Sequence, residues 1–328
     1  MLMKEKKYIT ALIIILVLCV VILLIRGKKV EEPGTVPYKN YNTDSKYLVI
    51  STGDFADELK KLEKKYKGVY HTLEYSMSPD VNPVNWNELG DLIFQNYMDH
   101  NGFIILHGPE TLTYTASGLS FILENLNKPV VFTQKAVLGM QFISKYTVPE
   151  VVIIDENEVF RGCRSKRYKG KFISPNFPSL AERNVLKYNN VLMAPEEPLK
   201  LLPINVNNKI VVIKLFPNIK ISYIMNILKV PGIYGIILET YENGYVSDDL
   251  NFLDFLNSVI SQGIIIVSVS QSLDTITTPL LEEIGVISGG SMTTEAAYAK
   301  LSLIVSHVKK YDNDMVKKLI QNNMRGEI

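Results

Sequence analysis

The sequence predicts an α/β fold: parallel strands with helices on both faces, arranged as two domains behind one membrane-spanning helix. Three observations carry this. From Lys46 onward, apolar runs of four to six residues alternate with longer amphipathic stretches, the rhythm of strand–helix–strand units. The apolar run 103–106 stops at His107-Gly108 and is followed by Pro109-Glu110-Thr111 and an amphipathic stretch. That is the layout of a parallel strand feeding a helix through a tight polar turn, the place where open α/β sheets hold ligands. Finally, Tyr8 to Ile25 is eighteen residues without a charge.

Taken in order, the apolar N-terminal run comes first. At 1.5 Å per residue it spans about 27 Å, against a hydrocarbon core of roughly 30 Å. Lys4, Lys6 and Lys7 flank one end, and Arg26, Lys28 and Lys29 the other. The run is longer than the apolar part of a signal peptide, and "LLIRGKK" offers no small-x-small cleavage pattern. An uncleaved single-pass anchor over 1–28 is therefore expected, with a divergent signal peptide as the alternative. Basic residues are nearly balanced across the span, so its orientation is undetermined. The absence of an Asn-x-Ser/Thr sequon after it leans toward a cytosolic body.

Residues 29–45 are polar, contain Pro33 and Pro37, and read as a tether. Strands are expected at 47–51, 103–106, 130–133, 151–155, 210–215, 235–239 and 264–269. Helices are expected at 55–66, 85–100, 112–126, 222–228, 250–262 and 294–309. A strand-poor stretch with Pro195, Pro198 and Pro203 reads as a linker, 191–208, between domains 46–190 and 209–328. The charge balance, 35 basic against 34 acidic side chains in 328 residues, leaves no nucleic-acid footprint. Cys19 falls in the apolar segment, which argues against a structural disulfide to Cys163, and no metal-ligand spacing exists.

Several blocks then carry a resemblance: 101–123 "NGFIILHGPETLTYTASGLSFIL", 124–133 "ENLNKPVVFT", 161–182 "RGCRSKRYKGKFISPNFPSLAE", 211–219 "VVIKLFPNI", 235–241 "GIILETY", 263–271 "GIIIVSVSQ" and 285–302 "GVISGGSMTTEAAYAKLS". In this order they are similar to successive blocks of bacterial type I L-asparaginases, over about residues 46 to 310. The resemblance implies a larger N-terminal α/β domain, a smaller Rossmann-like C-terminal domain and a ligand cleft between them. It implies dimers or dimers of dimers, and neither metal nor organic cofactor. The chemistry it implies is amide hydrolysis through an acyl-enzyme. A threonine attacks the side-chain carbonyl of asparagine, and a second threonine with a lysine and an aspartate moves protons.

The motifs that carry that chemistry depart from the pattern. The family's Thr-Gly-Gly-Thr-Ile is matched by "STGDFAD", so Phe55 falls at the nucleophile, and a phenyl ring cannot attack a carbonyl. The family's Thr-Asp becomes Pro109-Glu110, which removes a hydroxyl and a backbone N–H. The lysine position is Arg167, which keeps its proton at any usable pH. Lys166 is adjacent but on the opposite face of an extended segment. Ser78 matches its family counterpart. The segment after the third strand, "QKAVLGMQFISKY", is contracted, and Tyr245 replaces the asparagine of a C-terminal-domain turn.

Each position also has a plainer reading. Phe55 suits a core residue opening a helix, and Pro109 suits a first helical turn. Arg164, Lys166, Arg167 and Lys169 suit a solvated basic stretch, and His107 a structural turn. Cys163 suits a small buried side chain, and Thr293 or Thr294 a helix cap. The function expected is a membrane-anchored, catalytically inactive member of this family acting as a binding or interaction scaffold, with Ser78 and Glu110 left to hold a small amino-acid ligand. The alternative is an active L-asparaginase working through Thr52 or Ser51 with Glu110 and Lys166. A third reading is a compact body whose role is purely structural.

Overall fold

The computed structural model of the chain describes residues 35–36, 46–66, 69–75, 81–183, 185–246, 249–272, 279–308 and 313–328. The membrane helix expected at 8–25 lies outside these residues, as does Ser78. Among the described residues no helix is long and apolar enough to cross a membrane.

Along the chain come β1 (Thr35–Val36), β2 (Lys46–Ser51), α1 (Ala56–Tyr66), β3 (Tyr70–Glu74), α2 (Pro83–Gln95), β4 (His100–Leu106), α3 (Leu112–Ile122), β5 (Leu123–Glu124), β6 (Val130–Thr133), α4 (Ala136–Ile143) and β7 (Val151–Asp155). Short strands follow: β8 (Glu158–Arg161), β9 (Lys166–Tyr168), β10 (Lys171–Ile173), β11 (Ala181–Glu182), β12 (Val185–Leu186) and β13 (Leu199–Leu201). The remainder is β14 (Lys209–Lys214), α5 (Ile221–Leu228), β15 (Ile233–Thr240), α6 (Leu250–Ser261), β16 (Ile265–Ser270), α7 (Pro279–Glu283), β17 (Ile287–Ser288), α8 (Thr294–His307) and α9 (Asn313–Gln321).

The first sheet has the order β12-β11-β8-β7-β6-β4-β2-β3. Its β3-β2-β4-β6-β7 portion is parallel, and the β7-β8-β11-β12 portion is antiparallel. The two-residue period of a strand sorts its side chains. Leu48, Ile50, Phe103 and Ile105 join Trp86 of α2 and Leu119 of α3 in one core. Val49, Ile104 and Leu106 join Leu62 of α1 and Met140 of α4 in another. On the first side, Gly118 is required: a Cβ there would collide with the Trp86 ring.

The second sheet, β14-β15-β16-β17, is wholly parallel. One of its faces packs on α5, α6 and α7 through Ile213, Ile224, Leu238, Phe252 and Leu281. The other packs Ile210, Ile237 and Val267 into the same core as α3, with Ala296 and Leu301 of α8 between. The helix starts follow ordinary capping chemistry. Asn82 caps α2 in a capping box with Asn85, Asp249 caps α6, and Thr293 caps α8 by accepting from the Ala296 amide.

Several expectations are corrected. The helix expected at 85–100 ends at Gln95, because the Asn96 side-chain amide donates to the Leu92 carbonyl at 2.8 Å, and His100 opens β4 instead. The helix expected at 112–126 ends at Ile122, where Leu123–Glu124 turn out to pair with β13. That β13 lies inside the expected linker, and it also pairs with β1 inside the expected tether. The contracted segment after β6 forms α4.

The last residues fold back into the body. Lys300 and Glu327 are both fully buried and form an ion pair at 2.5 Å. The Lys300 ammonium also donates to the carbonyls of Ile320 and Asn322. The Gly326 carbonyl accepts from Arg161 at 3.1 Å and Arg164 at 2.8 Å. Gly326 has φ +77, and a Cβ there would run into the Arg161 guanidinium, so only glycine fits this turn.

Candidate active site

The turns at the carboxyl ends of β2, β4 and β6 lie side by side because those strands are neighbours. Backbone bonds hold them together: the Thr52 amide donates to the Leu106 carbonyl at 3.0 Å, and the His107 amide to the Thr133 carbonyl at 3.2 Å. This is the position where an open sheet holds its ligand.

The hydroxyls at the end of β2 are committed to the main chain. Thr52, buried, donates through Oγ1 to the Leu106 carbonyl at 2.7 Å. Ser51, also buried, donates to the Gly53 carbonyl at 3.1 Å. Among the described residues neither meets a base. Phe55 directly precedes α1, and its carbonyl accepts the Leu59 amide at 3.0 Å. Its half-buried ring packs against the core beneath α1 and α4 and lies alongside Gly53, where an added Cβ would meet Cε2 at 3.7 Å.

In the second turn, the His107 Nδ1–H donates to the Gly108 carbonyl at 2.7 Å, which fixes the neutral tautomer with its lone pair on Nε2. That Nε2 is buried and meets no hydrogen-bond partner among the described residues. Burial lowers the His107 pKa, opposed by the nearby Glu110 carboxylate. Pro109 is half-buried and lies before α3, which starts at Leu112, so it occupies the turn rather than the first helical turn. Glu110 is exposed, with its carboxylate folded back over Gly108: a Cβ on that glycine would sit 2.9 Å from Oε2.

The third segment is a hairpin. β9 and β10 pair through a two-residue turn at Lys169 (φ +48) and Gly170 (φ +80). Arg167 and Tyr168 are exposed on this strand and Lys166 is half-buried. Lys166 lies within electrostatic reach of Glu295 in the first turn of α8. Glu295 is buried, and burial raises its pKa against the pull of Lys166. Its Oε2 meets no hydrogen-bond partner among the described residues. Beside it, Thr294 donates to Glu239 at 2.5 Å, and the Tyr114 pKa is raised by burial and by both carboxylates. Thr52, the hydroxyl offered as a partner for this lysine, is bonded to β4 instead.

Arg164, read as part of a solvated stretch, is instead buried, donating to Gly326 and to Ser291 at 2.7 Å. Cys163 is buried and free, and burial pushes its thiol up to about 12, which leaves it inert. Sequence reasoning missed the Glu239–Thr294–Glu295–Tyr114 cluster: its members come from β15, α8 and α3, and the one local signal was the helix cap. A partly open cavity of about 130 Å³, lined by Ser120, Glu150, Arg161, Cys163, Met193 and Arg325 among others, lies away from the three turns.

A mixed sheet with strand-to-helix turns at the ends of its parallel strands, joined through α3 and α8 to a wholly parallel second sheet, defines a two-domain α/β protein. The model of the asparaginase N-terminal domain matches residues 31–193, and that of the glutaminase/asparaginase C-terminal domain matches residues 209–320. The chain belongs to the asparaginase family. It is 32% identical over 279 residues to L-asparaginase 1 of Escherichia coli (strain K12), covering 76% of this chain and 81% of that protein. The crystal structure of L-asparaginase I from Vibrio cholerae superposes with a TM-score of 0.78 at 31% identity, covering 87% of this chain and 99% of that one. The thermostable L-asparaginase from Thermococcus kodakarensis shares the fold, with a TM-score of 0.75 at 23% identity and coverage of 86% and 99%.

Proposed function

We propose that this asparaginase-family protein binds at its strand-end turns without hydrolysing an amide by the threonine route. The observation that carries the reading is Phe55. The family's nucleophile position holds a ring packed into the core, while both neighbouring hydroxyls, Ser51 and Thr52, donate to main-chain carbonyls. Nucleophilic catalysis requires a hydroxyl within reach of a base. In a catalytic unit, loss of the nucleophile alone can lower turnover about a millionfold. What remains at the turns is binding chemistry: the exposed Glu110 carboxylate suits a small ligand that carries an amino group.

The same proposal places the body at a membrane, cytosolic side, through a single span at residues 8–25, supported by eighteen uncharged residues with lysines at both ends. A homo-oligomer is part of the proposal, supported only by the family resemblance. The test of the catalytic part is ammonia release from L-asparagine by the full chain at high protein concentration, expected at the buffer rate. Turnover that an active-site substitution removes would reverse the reading.

A further inference from the structure

The first crossover of the second sheet carries an apolar face left open to solvent among the described residues. Helix α5 reads "ISYIMNIL" and buries one residue, Ile224, fully against the sheet. Tyr223 is 55% exposed, Met225 51%, Ile227 40%, and Val230 just beyond the helix 46%, with Phe216 before it at 48%. A surface helix normally turns polar residues outward, so a cluster of exposed large side chains within one crossover marks an interaction site.

The charge around the face is one-sided. From residue 200 to residue 238 there are five lysines and no aspartate or glutamate. Lys209, Lys214, Lys220 and Lys229 are all exposed. Lys209 donates to the Pro231 carbonyl and Lys229 to the Asn226 side chain, so among the described residues neither meets an acid. The acidic groups on the neighbouring helix are Asp249 and Asp254, and Asp249 is engaged in capping α6.

We propose that the α5 face docks on an anionic lipid surface. Tyr, Met and Ile side chains enter the boundary between headgroups and acyl chains, while lysine stems lie along it and their ammonium groups meet lipid phosphates. A second copy of the chain suits the face less well. A two-fold contact sets the patch against itself and brings the lysines of both copies together with no carboxylate between them. The inference rests on the reading that residues 8–25 hold the chain at a membrane, and it adds which face of the body meets the lipid.

The test uses the full chain carrying Cys19→Ser and Ser222→Cys, with a bimane on the new thiol, reconstituted with phosphatidylcholine vesicles that contain or lack phosphatidylserine. Flotation with both vesicle types, and a blue-shifted emission with phosphatidylserine only, is expected. Lys220→Glu and Lys229→Glu remove the shift, each lysine lost weakening docking about fivefold. Flotation with both and water-like emission in both overturns the docking face and leaves the anchor standing. Flotation with neither overturns both readings. A blue shift that grows with protein concentration, whatever the lipid, assigns the face to a second copy and also overturns the inference.

Discussion

Thr52 donates its hydroxyl to the carbonyl of Leu106 at 2.7 Å, and its amide donates to that same oxygen at 3.0 Å. The residue is a bracket between β2 and β4. Thr52→Val keeps the shape and removes one buried hydrogen bond, so it lowers stability by about 1 kcal/mol. A urea midpoint measured beside the wild type reads this directly. If Thr52 were a nucleophile, the same substitution would abolish turnover.

The Lys300–Glu327 pair fastens the C-terminal segment. Burial pushes the Glu327 carboxyl up, but Lys300 and the amides of Met324 and Arg325 outweigh it and hold its pKa below the usual value. A carboxyl depressed in the fold contributes stability that is present above its unfolded value and lost as pH falls through the folded one. Glu327→Gln, which leaves Lys300 buried without its counter-charge, is expected to cost about 3–5 kcal/mol. It also flattens the acid side of the stability profile, as urea midpoints measured across pH would show.

Trp86 is the protein's one tryptophan and packs edge-on to Tyr298 at 5.9 Å between ring centroids, with its other side over Gly118. Gly118→Ala forces the ring away and is expected to cost about 1–3 kcal/mol through overpacking. The Tm and the near-UV circular dichroism of the tryptophan band change together. A lowered Tm with an unchanged band would contradict this account of α2 against α3.

His71 Nδ1 and His100 Nε2 lie 3.0 Å apart across the start of β2, with His100 Nδ1 donating to the Asn96 carbonyl at 3.0 Å. Burial lowers the pKa of His100 most; the hydrogen bond to the Asn96 carbonyl opposes it, and the neighbouring His71 adds to the lowering. A histidine depressed in the fold binds fewer protons than when unfolded, so stability falls as pH drops below about 6.5. His100→Phe flattens that slope in the same pH series, leaving the part that buried His107 contributes. A slope unchanged in the variant would place it elsewhere.

Most parallel strands and the longer helices were legible because their signals are local, whereas the parallel strands β3 and β17 and the helix α4 were not expected. Leu48, Ile50 and Phe103 alternate with the required period, and Asn82, Asp249 and Thr293 cap where they stand in sequence. The small antiparallel strands were not legible. β13 exists only because residues far away in sequence, Leu123–Glu124 and Thr35–Val36, lie beside it. The site was half visible: Phe55, Pro109, Glu110 and Arg167 stood out against the resemblance. The burial of Arg164 and the electrostatic pull of Lys166 on Glu295 depend on the folded-back C-terminal segment and on α8, which no local pattern announces.

The central claim is that the turn at Phe55 no longer hydrolyses an amide. It is tested most directly by ammonia release from L-asparagine, measured side by side for the folded wild type, for Thr52→Val, and for a chain carrying Phe55→Thr, Pro109→Thr, Glu110→Asp and Arg167→Lys. The account predicts the buffer rate from the wild type and from Thr52→Val, with release appearing only where the hydroxyls and the lysine are restored. Turnover by the wild type that Thr52→Val abolishes would contradict it and make this protein an asparaginase with a displaced nucleophile.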